Sequence, residues 1–227
     1  MATRDRADEA DEAVEEADRE AMVRDQIEAR GVVDPRVLAA MRRVPRHRFV
    51  PAEWREEAYA DCPLPIGHGV TISQPYIVAV MAELAAVSAG DRVLEIGAGS
   101  GYQSAVLAEL GAEVFALEII DALIEPARAL LGELGYGPRV HLEAGDGSLG
   151  WAAHAPYRAI LAAAAPAQVP QALKDQLAIG GRLVLPVGTW DQDLVLIRRE
   201  GPDEFVEERV FPVRFVPMTG AAADYVE

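Results

Sequence analysis

Arg92-Val-Leu-Glu-Ile-Gly-Ala-Gly-Ser-Gly-Tyr102 is the stretch that decides the architecture of this 227-residue chain. Arg92 to Ile96 reads as a short, β-rich, apolar strand, and Gly97, Gly99 and Gly101 follow it directly. From about Tyr102 to Leu110 the pattern becomes helical. A strand that runs through a glycine turn into a helix is the opening of a βαβ unit and a ready ligand site. Glycine allows the tight turn and close backbone approach, and the first helical turn offers unpaired N–H groups.

Downstream of the turn, β-rich and helical runs keep alternating. Strand Glu113 to Glu118 precedes helix Asp121 to Leu134; strands Arg139 to Glu143 and Tyr157 to Ala162 come next. Helix Val169 to Leu177 and strand Arg182 to Pro186 complete the series. Such alternation predicts a parallel sheet covered on both faces. Leu194 to Ile197 and Phe205 to Val213 have no helix between them and read as an antiparallel hairpin that finishes the sheet. The expected fold is therefore α/β and Rossmann-like, a mostly parallel sheet with helices on both faces.

Upstream, a helix is expected from about Pro75 to Val87, with Ile77, Val80, Met81 and Leu84 on one face. The text between Pro45 and Pro75 is broken by Pro51, Pro63, Pro65, Gly67 and Gly69. Loops this long in a compact domain are usually functional or disordered, so Leu64-Pro-Ile-Gly-His-Gly-Val-Thr-Ile-Ser-Gln-Pro75 is the first place to look for substrate contacts. Before it, Met22, Ile27, Val37, Leu38 and Met41 can face a core from helices interrupted at Gly31–Pro35. Asp34 followed by Pro35 is a good helix start. Residues 1–20 carry nine acids and three arginines, and read as a frayed helix or a disordered tail. The expected organisation is an acidic tail (1–20), a helical subdomain with the substrate loop (21–90), and the Rossmann-like core (91–227), the last two forming one compact unit.

Composition narrows the function. With 51% hydrophobic and 26% charged residues the chain can bury one substantial core. Its longest apolar runs, such as Ala159 to Pro166 and Leu183 to Val187, fall short of the ~20 residues that span a bilayer. The charged N-terminus lacks the apolar segment of a secretory signal, so a cytoplasmic protein without a membrane partner is expected. A net charge of −16 disfavours nucleic acid as a partner. Cys62 is the sole cysteine, which excludes an internal disulfide and a cysteine cage for zinc, and it reads as a small loop residue. His47, His68, His141 and His154 lack the spacing of a metal site, and no metal is expected.

The glycine turn departs from the dinucleotide fingerprint G-x-G-x-x-G, because Tyr102 stands where the third glycine would fall. S-adenosylmethionine has no pyrophosphate to cradle; it presents a sulfonium, a carboxylate, an ammonium and a ribose diol. Acids at successive strand ends suit those groups. Glu118 ends the second strand, where a carboxylate can accept both ribose hydroxyls. Asp146, beside Gly147, can meet the adenine amino group. Glu95, on the first strand, can orient the loop or the amino-acid end of the cofactor. The reaction class is then methyl transfer, with S-adenosylhomocysteine as the product.

With the loop Ile66-Gly-His-Gly-Val-Thr-Ile-Ser-Gln-Pro75 and the glycine turn both in view, the chain resembles the protein-L-isoaspartate O-methyltransferase family. Supporting stretches are Arg43-Val-Pro-Arg-His-Arg-Phe-Val-Pro51, Ala58-Tyr59, Gly145-Asp-Gly147, Gly180-Gly-Arg-Leu-Val-Leu-Pro-Val-Gly188 and Arg214-Phe-Val-Pro-Met218. The resemblance covers nearly everything after residue 20. It implies a class I methyltransferase that repairs proteins by methylating the stray α-carboxylate of L-isoaspartyl residues. The ester then closes to a succinimide, whose hydrolysis returns some normal aspartate. Isoaspartyl-containing proteins and peptides are the implied partners, and a monomer is expected.

By the same resemblance the serine of Thr-Ile-Ser is the active-site residue, here Ser73. Val70, Thr71, Ile72, Ile119, Gly147 and Thr219 join Ser73, Glu95, Gly97, Gly99, Gly101, Glu118 and Asp146 as expected cofactor contacts. Bacterial members often carry Gln at the position of Val70, Asp at Arg158 and Thr at Ala163; Val70 and Ala163 remove polar groups near the expected site. Two other readings remain open from the residues. One is a relative that methylates genuine aspartate and forms aspartimide in a peptide; the other is a cofactor-binding module without catalysis.

Overall fold

Helical segments and a short hairpin precede the large sheet in the chain, and further helices alternate with its strands. In the computed structural model, which describes residue 12 and residues 14–225, residues 14–21 are helical and run on into a π-helical turn, Met22–Ile27. The expected acidic tail lies outside the described residues at 1–11 and 13. Its last part is ordered as helix, and Glu20 pairs with Arg42 at 2.9 Å.

Helix α1 (Pro35–Arg43) starts as its sequence dictates. Asp34 is the N-cap, its carboxylate accepts the Arg36 N–H at 2.8 Å, and Pro35 opens the helix. A short antiparallel hairpin of β1 (Leu64–Pro65) and β2 (Thr71–Ile72) leads into α2 (Pro75–Ala85), which stops at Ala86 in a left-handed conformation, two residues short of expectation. Arg46, fully buried, braces the intervening loop. Its Nε donates to the Ala58 carbonyl at 2.7 Å, and its guanidinium lies 4.9 Å from the Tyr102 ring centroid.

The alternating elements are β3 (Arg92–Ile96), α3 (Tyr102–Glu109), β4 (Glu113–Glu118), α4 (Asp121–Glu133), β5 (Val140–Ala144), β6 (Tyr157–Ala162), α5 (Gln171–Asp175), β7 (Leu177–Val187), β8 (Gln192–Arg199) and β9 (Phe205–Val213). The strands form one sheet in the order β5-β4-β3-β6-β7-β8-β9. β5, β4, β3, β6 and β7 are parallel; β8 and β9 are antiparallel additions. The order reverses beside β3, at its junction with β6, where open α/β sheets place their ligands.

Strand alternation sorts the core into two layers. Val93, Val114, Ala116, Ala159, Leu161 and Val184 face a cluster filled by α1, α2, α3 and α4, which also takes in Met22, Val23 and Ile27. Leu94, Ile96, Phe115, Leu117, Ile160 and Leu183 face the opposite side. Both faces are covered, but unequally. The second face is closed by the short α5 through Leu173, and by Met218 and Ala222 near the C-terminus. Helix α3 has Tyr102 to Ala108 all buried, because it lies between the sheet and α1. A helix enclosed on all sides has no amphipathic period to display.

One expected helix is shorter than its sequence suggested. Pro170 holds an extended N-cap (φ −63°, ψ 127°), so α5 spans Gln171–Asp175 rather than Val169 to Leu177. Leu177 instead begins β7, pairing with Tyr157 ahead of a bulge, five residues before the expected Arg182. Among the described residues no helix is long and apolar enough to cross a membrane.

Candidate active site at the carboxyl ends of the parallel strands

The glycine turn is held on both sides. Gly97 N–H donates to the Leu117 carbonyl at 2.8 Å, and Gly101 N–H returns to Ala98 at 2.8 Å. Gly101 has φ 85°, a conformation that favours glycine, and a Cβ there would lie 3.0 Å from Leu131 Cδ1 on α4, a tight approach of turn and helix. Glu118, buried at the end of β4, spans the turn with its carboxylate. Oε2 accepts the Gly99 N–H at 2.8 Å and Oε1 the Ile120 N–H at 2.9 Å.

Glu95 points to the same layer as α3 and is fully buried. Its carboxyl accepts from the Ser104 hydroxyl and from Gln103 Nε2 at 3.3 Å. Burial pushes its pKa up to about 8, against the opposing pull of these two donors. Glu95 therefore keeps its proton at neutral pH and orients the first turn of α3.

Asp146, the acid expected at the adenine amino group, is also held from within the chain. Oδ1 accepts from the Ser148 N–H (3.0 Å) and hydroxyl (2.7 Å); Oδ2 accepts the Ala221 N–H at 2.7 Å. Burial alone would raise its pKa, but these hydrogen bonds outweigh it and hold the carboxyl below the ordinary range. Both oxygens are thus engaged within the chain, and the carboxylate fastens the C-terminal turn Gly220–Tyr225 to the loop after β5.

Two narrow slots meet at Gly97. The first is lined by Thr71, Ile72, Ser73, Val78, Glu95, Gly97, Ala98, Gly99, Ser100, Tyr102, Gln103 and Ala163. The second is mostly apolar, lined by Ile96, Gly97, Leu117, Ile119, Gly145, Gly147, Ala164, Met218 and Thr219. A wide cleft of about 1070 Å³ adjoins the first slot, walled by α2, the end of β9 and residues 214–217. Thr71, Ser73 and Ala163 line both the slot and the cleft.

Most residues expected from the sequence therefore gather around Gly97. Val70 does not line these cavities; its carbonyl accepts the Ile66 N–H at 3.1 Å and shapes the hairpin turn. His68 lies exposed at the tip of that hairpin, and Cys62 is a half-buried free thiol. No group of metal-ligating side chains exists among the described residues. Sequence reading missed Gln103, Ala164 and Met218 as lining residues; they neighbour motif residues but carry no chemical signature of their own. It also missed Arg30 and Tyr76, which only the folded chain brings to the cleft.

The family model described as Protein-L-isoaspartate(D-aspartate) O-methyltransferase matches residues 17–223. The chain belongs to that family. Among its relatives, the protein-L-isoaspartate O-methyltransferase of Gloeobacter violaceus is 55% identical over 200 residues, covering 87% of this chain and 97% of its own. Protein-L-isoaspartate O-methyltransferase 1 of Rhodopseudomonas palustris is 56% identical over 206 residues, covering 90% and 84%. A solved protein-L-isoaspartate O-methyltransferase superposes with a TM-score of 0.80 at 28% identity, covering 89% of this chain and 66% of that one. The Plasmodium falciparum structure described as a protein-L-isoaspartate O-methyltransferase in complex with S-adenosyl-L-homocysteine shares the fold at a TM-score of 0.78 and 23% identity, over 88% of this chain and 98% of that one. Within this methyltransferase family fold, the Thr71-Ile72-Ser73 strand end and the glycine turn face each other across the first slot.

Proposed function

We propose that this chain moves a methyl group from S-adenosylmethionine to the free α-carboxylate of L-isoaspartyl residues in damaged proteins and peptides. The observation that carries the reading is the shared wall: Thr71, Ser73 and Ala163 belong at once to the slot at the glycine turn and to the wide cleft. A group held in one is delivered to a group held in the other there.

The donor set of the slots fits the cofactor. The first slot is polar, with Glu95, Ser100, Gln103, Thr71 and Ser73 on its walls, and suits an amino-acid end. The second, with Ile96, Leu117, Ile119 and Met218, suits a flat heterocycle. Between them Glu118 offers a buried carboxylate beside the turn, matched to a diol. When bound, the cofactor supplies an electrophilic methyl group on a positively charged sulfur.

The acceptor needs little acid or base work, since a carboxylate of pKa about 4 is ionised at neutral pH. The residues serve position instead. Ser73, at the shared wall, donates its hydroxyl hydrogen to the acceptor carboxylate and holds one oxygen toward the slot; Thr71 supports it from β2. The ester then closes to a succinimide away from the enzyme, and hydrolysis yields aspartate in part. The acidic chain, at net charge −16, suits a cytoplasmic monomer that avoids nucleic acid.

Methyl transfer from labelled cofactor to paired peptides, identical except for an isoaspartyl or a normal aspartyl residue, tests the reading. Label is expected on the isoaspartyl peptide alone. Equal labelling of the pair refutes it.

A further inference from the structure

Charge is distributed against the trend of the chain in the substrate cleft. Acids outnumber Lys and Arg by 37 to 21 in the whole sequence, yet the charged side chains lining the cleft are Arg30 and Arg214, with no carboxylate among the described lining residues. The two arginines are not equivalent. Arg30 is already matched: its Nη1 donates to Asp61 at 2.9 Å and its guanidinium lies 3.6 Å from the Tyr76 ring centroid. Asp61 is further held by Gln74 Nε2 at 2.7 Å.

Arg214 has no hydrogen bond, ion pair or ring contact among the described residues, and it is exposed at the cleft. Its backbone is nevertheless fixed. The next residue, Phe215, is clamped by buried Gln192, which accepts its N–H at 2.6 Å and donates to its carbonyl at 3.2 Å. The Val216 carbonyl accepts the Ala165 N–H at 2.9 Å. A free cation is thus held on a rigid segment in the cavity that also exposes Ser73. Exposed guanidinium groups pair with carboxylates through well-directed N–H donors, and a cleft of one sign of charge concentrates ligands of the other.

We propose that Arg214 is a specificity-determining residue that pairs with a carboxylate flanking the isoaspartyl residue, so that substrates with an acidic neighbour are preferred. This rests on the isoaspartyl reading of the site. The preferred class is then an acidic peptide segment, matched to the charge of Arg214 rather than to the net charge of the enzyme.

The test uses isoaspartyl peptides carrying Glu, Gln or Lys immediately before or immediately after the modified residue, assayed by methyl transfer with the full chain, R214Q and R214K. At one of the two positions kcat/KM should favour Glu over Gln by about 2- to 5-fold, the range of an exposed ion pair, with Lys below Gln and the difference in KM. R214Q should bring the Glu-to-Gln ratio to about one, R214K should keep it above one, and added salt should shrink it in the parent protein. Using ratios within each protein removes any general loss of activity in a variant. A ratio that is the same in R214Q as in the parent at both positions overturns the assignment. Failure of the parent to methylate any of the peptides overturns the isoaspartyl reading itself, and the assignment with it.

Discussion

Glu118 Oε2 accepts the Gly99 N–H at 2.8 Å, so the end of β4 is tied directly to the turn that follows β3. Its other oxygen takes Ile120 N–H, and the whole group is buried. Glu118→Ala removes the acceptor of two backbone donors and the expected partner of the ribose. Losing a buried partner costs about 1–3 kcal/mol, so affinity for S-adenosylhomocysteine should fall by ~5- to 150-fold. Calorimetric titration checks this, with a thermal melt to separate loss of binding from loss of fold. Affinity within twofold of the parent would remove Glu118 from the cofactor site.

Ser73→Ala tests the shared wall. A hydrogen bond to a charged group contributes about 1.5–3 kcal/mol, which predicts a kcat/KM for an isoaspartyl peptide reduced by ~10- to 100-fold. Half-buried on the segment between β2 and α2, Ser73 bears little of the core, so the melting temperature should hardly move. Unchanged peptide kinetics would show that the hydroxyl does not hold the acceptor.

How far the sequence could be read depended on the kind of contact. The glycine turn, the strand ends and the Asp34-Pro35 helix start are local, and their residues announce them. Every strand of the large sheet was expected, but β7 starts five residues before the expected Arg182 and β8 runs two residues further at each end, because apolar runs between breakers mark the centre of a strand and pairing decides its ends. Helix α5 was over-read at its start, where Pro170 is a local breaker, and at its end, where the early pairing of Leu177 with Tyr157 is a decision of the folded sheet. Asp146 was placed by its strand-end position, while its partner Ala221 lies 75 residues away in the chain. The charged make-up of the cleft was likewise invisible, since Arg30 and Arg214 meet only after the sheet has formed.

Glu95 makes stability depend on pH in a direction unusual for a carboxyl group. Its folded pKa, about 8, lies above the ordinary 4.5, so between those values the folded state holds a proton that the unfolded chain releases. Stability from this group is therefore full below about pH 4.5, declines as pH rises toward about 8, and is flat above. Glu95→Gln keeps the shape without the titration. Its melting temperature should gain on the parent as pH is raised from 5 to 8, measured by scanning calorimetry in low-ionisation-heat buffers. A constant difference between the two proteins across that range would mean that Glu95 ionises normally.

Asp146 and Gly220 act on one contact. Gly220 has φ 78°, and a Cβ placed on it would lie 2.4 Å from the Asp146 carboxyl carbon, so Gly220→Ala must push the C-terminal turn off its anchor. A non-glycine residue at positive φ costs about 1–3 kcal/mol when the surroundings enforce it. Asp146→Ala removes the acceptor of the Ala221 N–H from the other side. Because Met218 and Thr219 wall the second slot, both variants should bind S-adenosylhomocysteine several-fold more weakly and should expose the 218–222 amides to faster hydrogen exchange. The double variant discriminates between a shared and a separate origin. If both substitutions break the same anchor, its loss of affinity equals that of the weaker single variant; if the losses add in free energy, the Asp146 carboxylate serves the cofactor independently of the turn it holds.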